Sequence, residues 1–444
     1  MNKNFFKNKK ITIMGLGLLG RGIGDAVFLA ECGAKLTITD LKTNEQLKES
    51  LNKLKKFKNI KYVLGEHRLE DFQNCDMVLK AAGVPFDSIY ISEAKKHKIP
   101  IEMDVSLFAK CAPEIKIIGI TGTRGKSMTT ALIYEILKQN EKSLGRKVYL
   151  GGNVRGLATL PLLKKVKKGD ILVCELDSWQ LQGFGEAKIS PHISVFTSFM
   201  PDHMNYYKNS LGDYFADKAN IFKYQKKRDV LIIRSGVKKL IPKNLKSKLI
   251  MANSKNVSNF KFIVPGEFQR ENLACAVEVG KLFKIPAEKI RKAVENFKGL
   301  EGRLQYIKTV KGVKIYNDNN ATTPEATMAG IEALRQDLSG KNIILICGGA
   351  DKKLDLAGFV KDVNKYCKAV VMIPGTGTDK LITNYKLRIM NEKAKDLKDA
   401  VKTALGLASR EDIILFSLAF ASFGMFQNEY DRGDQFMKII KSLK

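Results

Sequence analysis

The chain has 444 residues, 44% of them hydrophobic and 27% charged, with a net charge of +30. At roughly 100–200 residues per domain this length predicts two to four domains, and no run approaches the ~18 apolar residues that would span a membrane. Lysines recur in nearly every segment without a block of five or six and without interleaved exposed aromatics, which reads as a solvated basic surface that steers anions and argues against a nucleic-acid groove.

Along the chain, the basic opening MNKNFFKNKK has no apolar stretch or cleavage site, so no secretory signal is expected. The strand ITIM (11–14) runs into GLGLLG, a helix ending at Gly33, and the strand KLTITD ending at Asp40. This is a βαβ unit, and DMVLKAAG and IPIEMDV extend the alternation to about residue 112. After Pro113, IKIIGIT feeds a glycine-rich loop and the helix TTALIYEILKQN. Strands are expected at ILVCELD, HISVFTSF and DVLIIR, with helices around Asp213–Tyr224 and Glu271–Leu282 closing a middle unit near 298. From 299 onward VKIYND, a helix from Pro324, NIILICGG, AVVMIPG and DIILFS alternate again. Such alternation predicts parallel sheets covered by helices, in three α/β domains at 1–112, 113–298 and 299–444. The seven cysteines are scattered with no C-x-x-C spacing, which points to a reducing, cytoplasmic setting and against a disulfide framework or zinc site.

Two phosphate-type loops stand out. Gly15-x-Gly17-x-x-Gly20 with Asp40 beyond it fits a dinucleotide or nucleotide-sugar turn, though that pattern alone is weak. The stronger one is Thr121-Gly122-Thr123-Arg124-Gly125-Lys126-Ser127. Strict Walker spacing fails, because Ile120 stands where the first glycine belongs. The physics is nonetheless that of a phosphate cradle: backbone N–H groups at a helix N-terminus, with Lys126 for the outer phosphates and Ser127 for Mg2+. Further candidates follow strands, where an α/β sheet keeps its ligands: Glu175, Asp202 with His203, Asp318 and Lys352. Lys218 lies in the apolar stretch YFADKANIF and Arg303 in the loop GLEGR.

The series TGTRGKS, ELDSWQLQ, PDHMNYY, YFADKANIF, GLEGRLQ, YNDNNATT, GGADKK and ASFGMFQNEYDRGDQF, in this order over essentially the whole chain, resembles the Mur ligases of peptidoglycan precursor synthesis. The GLGLLG opening and the last motif favour the branch that adds D-glutamate. The resemblance implies a cytoplasmic ATP-dependent ligase, a monomer with no nucleic-acid partner, joining D-glutamate to UDP-MurNAc-L-alanine through an acyl phosphate. Its fold would be a Rossmann-like sugar-nucleotide domain, a central P-loop domain and a closing C-terminal Rossmann-like domain.

Residue by residue, the resemblance assigns Gly122, Thr123, Arg124, Gly125, Lys126, Ser127, Met128, Asn272, Arg303 and Asp318 to ATP, and Gly17, Leu18, Leu19, Asp40, Asn153 and His203 to the UDP substrate. Thr322, Lys352 and Ser422 fall to the incoming amino acid, and Ser127, Glu175, His203 and Lys218 to two Mg2+ ions, with Lys218 carbamylated. Lys126, His203 and Lys218 are the implied catalytic set. Four positions depart from the pattern: Arg124 and Gln269 each replace an asparagine, Asn320 replaces a lysine, and Glu429 falls where the position is usually aromatic. The last two remove a cation and add an anion on the amino-acid side. A ligase for another acceptor, or a basic P-loop ATPase acting on nucleic acid, are the alternatives.

Overall fold

The structure is a computed structural model and describes residues 5–18, 20–335 and 340–443. The chain forms two compact units, Met1–Asn259 with Glu271–Val294, and Phe260–Arg270 with Glu295–Lys444.

The first unit holds two sheets. β1 (Lys10–Met14), β2 (Lys35–Asp40), β3 (Ile60–Leu64), β4 (Met77–Lys80) and β5 (Ile101–Glu102) lie in the order β3-β2-β1-β4-β5, all parallel. The chain leaves β1 toward one edge and returns at β4 toward the other, so the ends of β1 and β4 form the switch point where such sheets bind ligands. Ile11, Ile13, Leu36 and Ile38 face the helix Arg21–Glu31, and Met14 and Val78 face Phe72, Ile91 and Ala94. Alternate residues thus bury themselves on opposite faces, each large aliphatic side chain contributing roughly 1.5–3 kcal/mol.

The second sheet comprises β6 (Lys116–Thr121), β7 (Val148–Gly152), β8 (Ile171–Glu175), β9 (Ile193–Phe196), β10 (Val230–Ile233) and β11 (Lys248–Met251) in the order β11-β10-β9-β6-β8-β7. It is parallel throughout. The two sheets share one apolar core, and the backbone N–H of Leu160 donates to the Asp25 carboxylate of the first at 3.3 Å.

The second unit contains β12 (Gln305–Val310), β13 (Val313–Asn317), β14 (Ile343–Gly348), β15 (Cys367–Ile373), β16 (Met390–Lys393) and β17 (Ile413–Phe416), ordered β12-β13-β17-β14-β15-β16. The β12–β13 hairpin is antiparallel and the rest parallel, so the sheet is mixed. Ile343, Leu345 and Leu415 feed one core, and Ile344, Ile346 and Phe416 the other. No helix among the described residues is long and apolar enough to cross a membrane.

Candidate functional site

β6 ends at Thr121 and the helix Lys126–Gln139 begins five residues later. The connecting loop needs its glycines. Gly122 has φ +148°, and a Cβ there would sit 2.1 Å from the Thr197 hydroxyl. Gly125 has φ +90°, and a Cβ there would lie 2.4 Å from the Asn272 amide oxygen. The loop is clamped from β9's end: Thr123 N–H donates to Ser198 O (2.8 Å), Arg124 N–H donates to Ser198 Oγ (2.8 Å), and Arg124 O accepts from Thr197 Oγ1 (2.5 Å). The helix has no acidic residue in its first turn, leaving its positive end for an anion.

Two lysines converge on this loop. Lys126 Nζ donates to Gly122 O at 2.9 Å and to Thr123 O at 3.2 Å. Lys218, on the helix Leu211–Lys223, donates to the same Gly122 O at 2.9 Å and lies 4.8 Å from the centre of the Tyr214 ring. Lys218 is 1% exposed. Burial, and next the Lys126 charge, hold its ammonium pKa well below the usual lysine value. A neutral amine is the form that can take up CO2.

His203 has φ +55°, a left-handed conformation that costs a non-glycine residue free energy and concentrates at functional sites. Its imidazole packs on Trp179 at 4.7 Å between ring centres. Burial pulls its pKa down, the Asp202 carboxylate opposes that shift, and Lys126 and Lys218 add to it. Glu175 ends β8 beside Ile120 of β6, and its carbonyl accepts from Asn153 N–H at 2.7 Å. Among the described residues no three His, Cys, Asp or Glu side chains form a ready-made metal cage. Mg2+ takes few protein ligands beside phosphate oxygens and water, and the Ser127 hydroxyl and Glu175 carboxylate are suitable hard donors. Lys218 supplies such oxygens only as a carbamate. The hydroxyls of Thr121, Thr129 and Thr130 near the loop are buried with no hydrogen-bond partner among the described residues.

In the first sheet, a cavity of about 420 Å³ lies at the switch point, lined by Gly15–Leu18, Asp40, His67 and Lys80 among others. A larger cleft of about 710 Å³ opens at the strands' opposite ends around Lys10, Lys35 and Lys61. Position decides for the first, since ligands of such sheets bind at the carboxyl ends. Asp40 is engaged by the loop itself: Oδ2 accepts from Leu16 N–H (2.9 Å) and Gly17 N–H (3.1 Å), and Oδ1 from Lys42 N–H (2.9 Å). Leu18 is exposed, and Leu19 lies outside the described residues. Lys80, 2% exposed and unsuspected from sequence, donates to Val84 O at 2.5 Å; burial depresses its pKa to about 8.

In the second unit, Asp318 accepts from Leu304 N–H (3.0 Å) and Ser417 Oγ (2.9 Å), and burial raises its pKa to about 7 while the nearby Arg303 charge opposes that rise. Lys352 Nζ donates to Thr322 Oγ1 at 3.1 Å. Backbone pairing of Ala350 with Ala421 brings buried Ser422 alongside. The three expected amino-acid-side residues therefore belong to neighbouring loops. Asn320 reaches across to the loop that carries Arg303, its Nδ2 3.4 Å from Glu301 O. Beyond Glu429, fully buried Arg432 grips Asn319 through its side chain (2.8 Å) and carbonyl (2.9 Å).

Sequence reasoning missed the clamp from Thr197 and Ser198, the Trp179 platform and Tyr214. Tyr214 precedes Lys218 by four residues on one helix, a spacing that stacks side chains and was legible.

Three family models match the chain: "Mur ligase MurD-like, N-terminal domain" over residues 9–102, "Mur ligase middle domain" over 120–261, and "Mur ligase, glutamate ligase domain" over 302–419. The UDP-N-acetylmuramoylalanine–D-glutamate ligase of Borreliella burgdorferi is 36% identical over 98% of each chain. Among solved structures, the UDP-N-acetylmuramate–alanine ligase of Thermotoga maritima superposes with a TM-score of 0.64 at 19% identity, over 98% of this chain and all of that one. The MurF ligase of the same organism, solved with ADP, gives 0.60 at 15% identity, over 99% and 96%. These two attest the fold. The Borreliella relative and the three domain matches establish that the chain belongs to the Mur ligase family, in its UDP-N-acetylmuramoylalanine–D-glutamate ligase branch.

Proposed function

We propose that the protein joins D-glutamate to UDP-MurNAc-L-alanine at the expense of ATP, in peptidoglycan precursor synthesis. The carrying observation is the clamped loop Gly122–Ser127, with Lys126 and buried Lys218 on one carbonyl beside left-handed His203. A carboxylate is a poor electrophile because oxide would have to leave. Transfer of the γ-phosphoryl group to the alanyl carboxylate makes an acyl phosphate, the D-glutamate amine attacks its carbonyl carbon, and phosphate departs. Loop N–H groups and Lys126 orient the phosphates and offset their charge, so positioning and electrostatics supply most of the catalysis.

Bound Mg2+ would neutralise phosphate oxygens, with Ser127 and Glu175 at one ion and His203 and carbamylated Lys218 at a second. Met128, Asn272, Arg303 and Asp318 complete the proposed ATP contacts. Gly17, Leu18, Asp40, Asn153 and His203 serve the UDP substrate, and Thr322, Lys352 and Ser422 the amino acid. Three domains, 1–112, 113–298 and 299–444, a monomeric state and a cytoplasmic setting belong to the same proposal.

Asn320 and Glu429 favour a second reading, an acceptor less acidic than glutamate. One assay separates the two: purified protein with ATP, Mg2+, UDP-MurNAc-L-alanine and a panel of amino acids, reading phosphate release and product mass. D-Glutamate-dependent product is expected. Product with another amino acid alone favours the second reading, and none with any member overturns both.

A further inference from the structure

Arg124 is where this chain leaves the family's usual asparagine. Its backbone is held on both sides, N–H on Ser198 Oγ and C=O under the Thr197 and Ser198 hydroxyls, so its side chain leaves the loop from a fixed base. The guanidinium Nη1 donates to Asp202 Oδ2 at 3.2 Å. The other oxygen of that carboxylate, Oδ1, accepts the backbone N–H of His203 at 3.0 Å. His203 is the residue at φ +55°, and its carbonyl in turn accepts the N–H groups of Tyr206 (2.9 Å) and Tyr207 (3.1 Å). A continuous path therefore runs from the phosphate loop through one ion pair to the backbone of the strained histidine.

We propose that Arg124 is a positioning residue that ties the nucleotide loop to His203 through Asp202, so that a phosphate chain arriving at the loop changes where the imidazole sits. The inference rests on the function proposed above. An asparagine at 124 could not form this ion pair. The pair lies between side chains 43% and 26% exposed, the kind that exchanges readily. A polyphosphate at the Gly125–Ser127 N–H groups offers the guanidinium a bidentate, more highly charged partner one residue away. When Arg124 turns from Asp202 to phosphate, the ionic tether on His203 is released. Asp202 alone still anchors the His203 N–H, so the expected effect of losing Arg124 is modest.

The test uses full-length protein labelled at histidine, free of metal. His203 is distinguished from His67, His97 and His192 by the His203→Gln variant. In nucleotide-free protein, Arg124→Asn and Asp202→Asn should each shift the His203 imidazole resonance, and the double variant should shift it no further than the larger single one. Adding AMPPNP should move that resonance in the parent and much less in Arg124→Asn. In the ligation assay, Arg124→Asn should raise both the half-saturating Mg2+ concentration and the KM for ATP about two- to fivefold, with partial rescue by Arg124→Lys. An unmoved His203 resonance, additive shifts, or an effect confined to the KM for ATP would overturn the tether. A parent protein that fails to ligate overturns the function instead, while the resonance measurements still decide the tether.

Discussion

Lys218 and Asp318 are two ionisable groups that burial has pushed toward their neutral forms, and each has a measurable consequence. For Lys218 the depressed pKa favours the neutral amine that the proposed carbamylation requires. Lys218→Ala should lower ligation by about a hundredfold or more, the size expected when a group stabilising transferred phosphoryl charge is lost. Added bicarbonate should not rescue that variant, whereas CO2 depletion should slow the parent; full activity in Lys218→Ala would remove the residue from the site. For Asp318 the folded pKa of about 7 exceeds the unfolded value of 3.8. The folded state thus binds the extra proton, so stability of the second unit should fall as pH rises from about 4 to 7 and level off above, by at most about 4 kcal/mol. Asp318→Asn should flatten the slope, read as denaturant midpoint against pH; an unchanged slope would assign it to other groups.

At the scale of elements, the loop is more demanding than its composition implies. Gly122→Ala would force a Cβ against Thr197 and Ser198 from a backbone conformation that side chains avoid. We expect it to cost on the order of 2–4 kcal/mol and to abolish nucleotide binding, measured by denaturation and calorimetry; normal ATP affinity would refute the clamp. The same scale explains what was legible in the sequence. Interior strands such as β6, β8, β14 and β17 are continuous apolar runs because both faces are covered, and each was expected where it lies. The strands that escaped notice, β3, β7, β11, β12 and β16, all sit at sheet edges. There the pattern thins, and β16, Met-Asn-Glu-Lys, is exposed at every position. The helix Glu267–Leu282 begins four residues before its expected start, taking in Gln269. The residues proposed for the site are those that contiguous motifs make legible as candidates. Contacts set by long-range packing, such as Ser198 on Arg124 or Tyr214 on Thr123, are not legible, because 74 and 91 residues of chain separate the partners.

For the whole molecule, a charge of +30 invites a nucleic-acid reading. Some of its cations form local pairs such as Lys110–Glu102, Lys138–Glu141 and Lys368–Asp412, and the excess of 76 Lys and Arg over 46 Asp and Glu leaves a diffuse positive field that salt screens. Retention on a DNA column should therefore vanish at about physiological salt, and tight binding there would revive the alternative. The two compact units are also interleaved along the chain: Phe260–Arg270 groups with the C-terminal residues, while Glu271–Val294 returns to the first unit. In that returning stretch Leu273, Ala276 and Val279 are fully buried or nearly so, and Gly280 lies close against Ile136. During synthesis the first unit cannot close its core until residue 294 has left the ribosome, and Phe268 waits for a partner core that is translated last. A nascent chain paused just before residue 294 displays apolar surface from both units at once, so slowed translation there should raise the share of insoluble product.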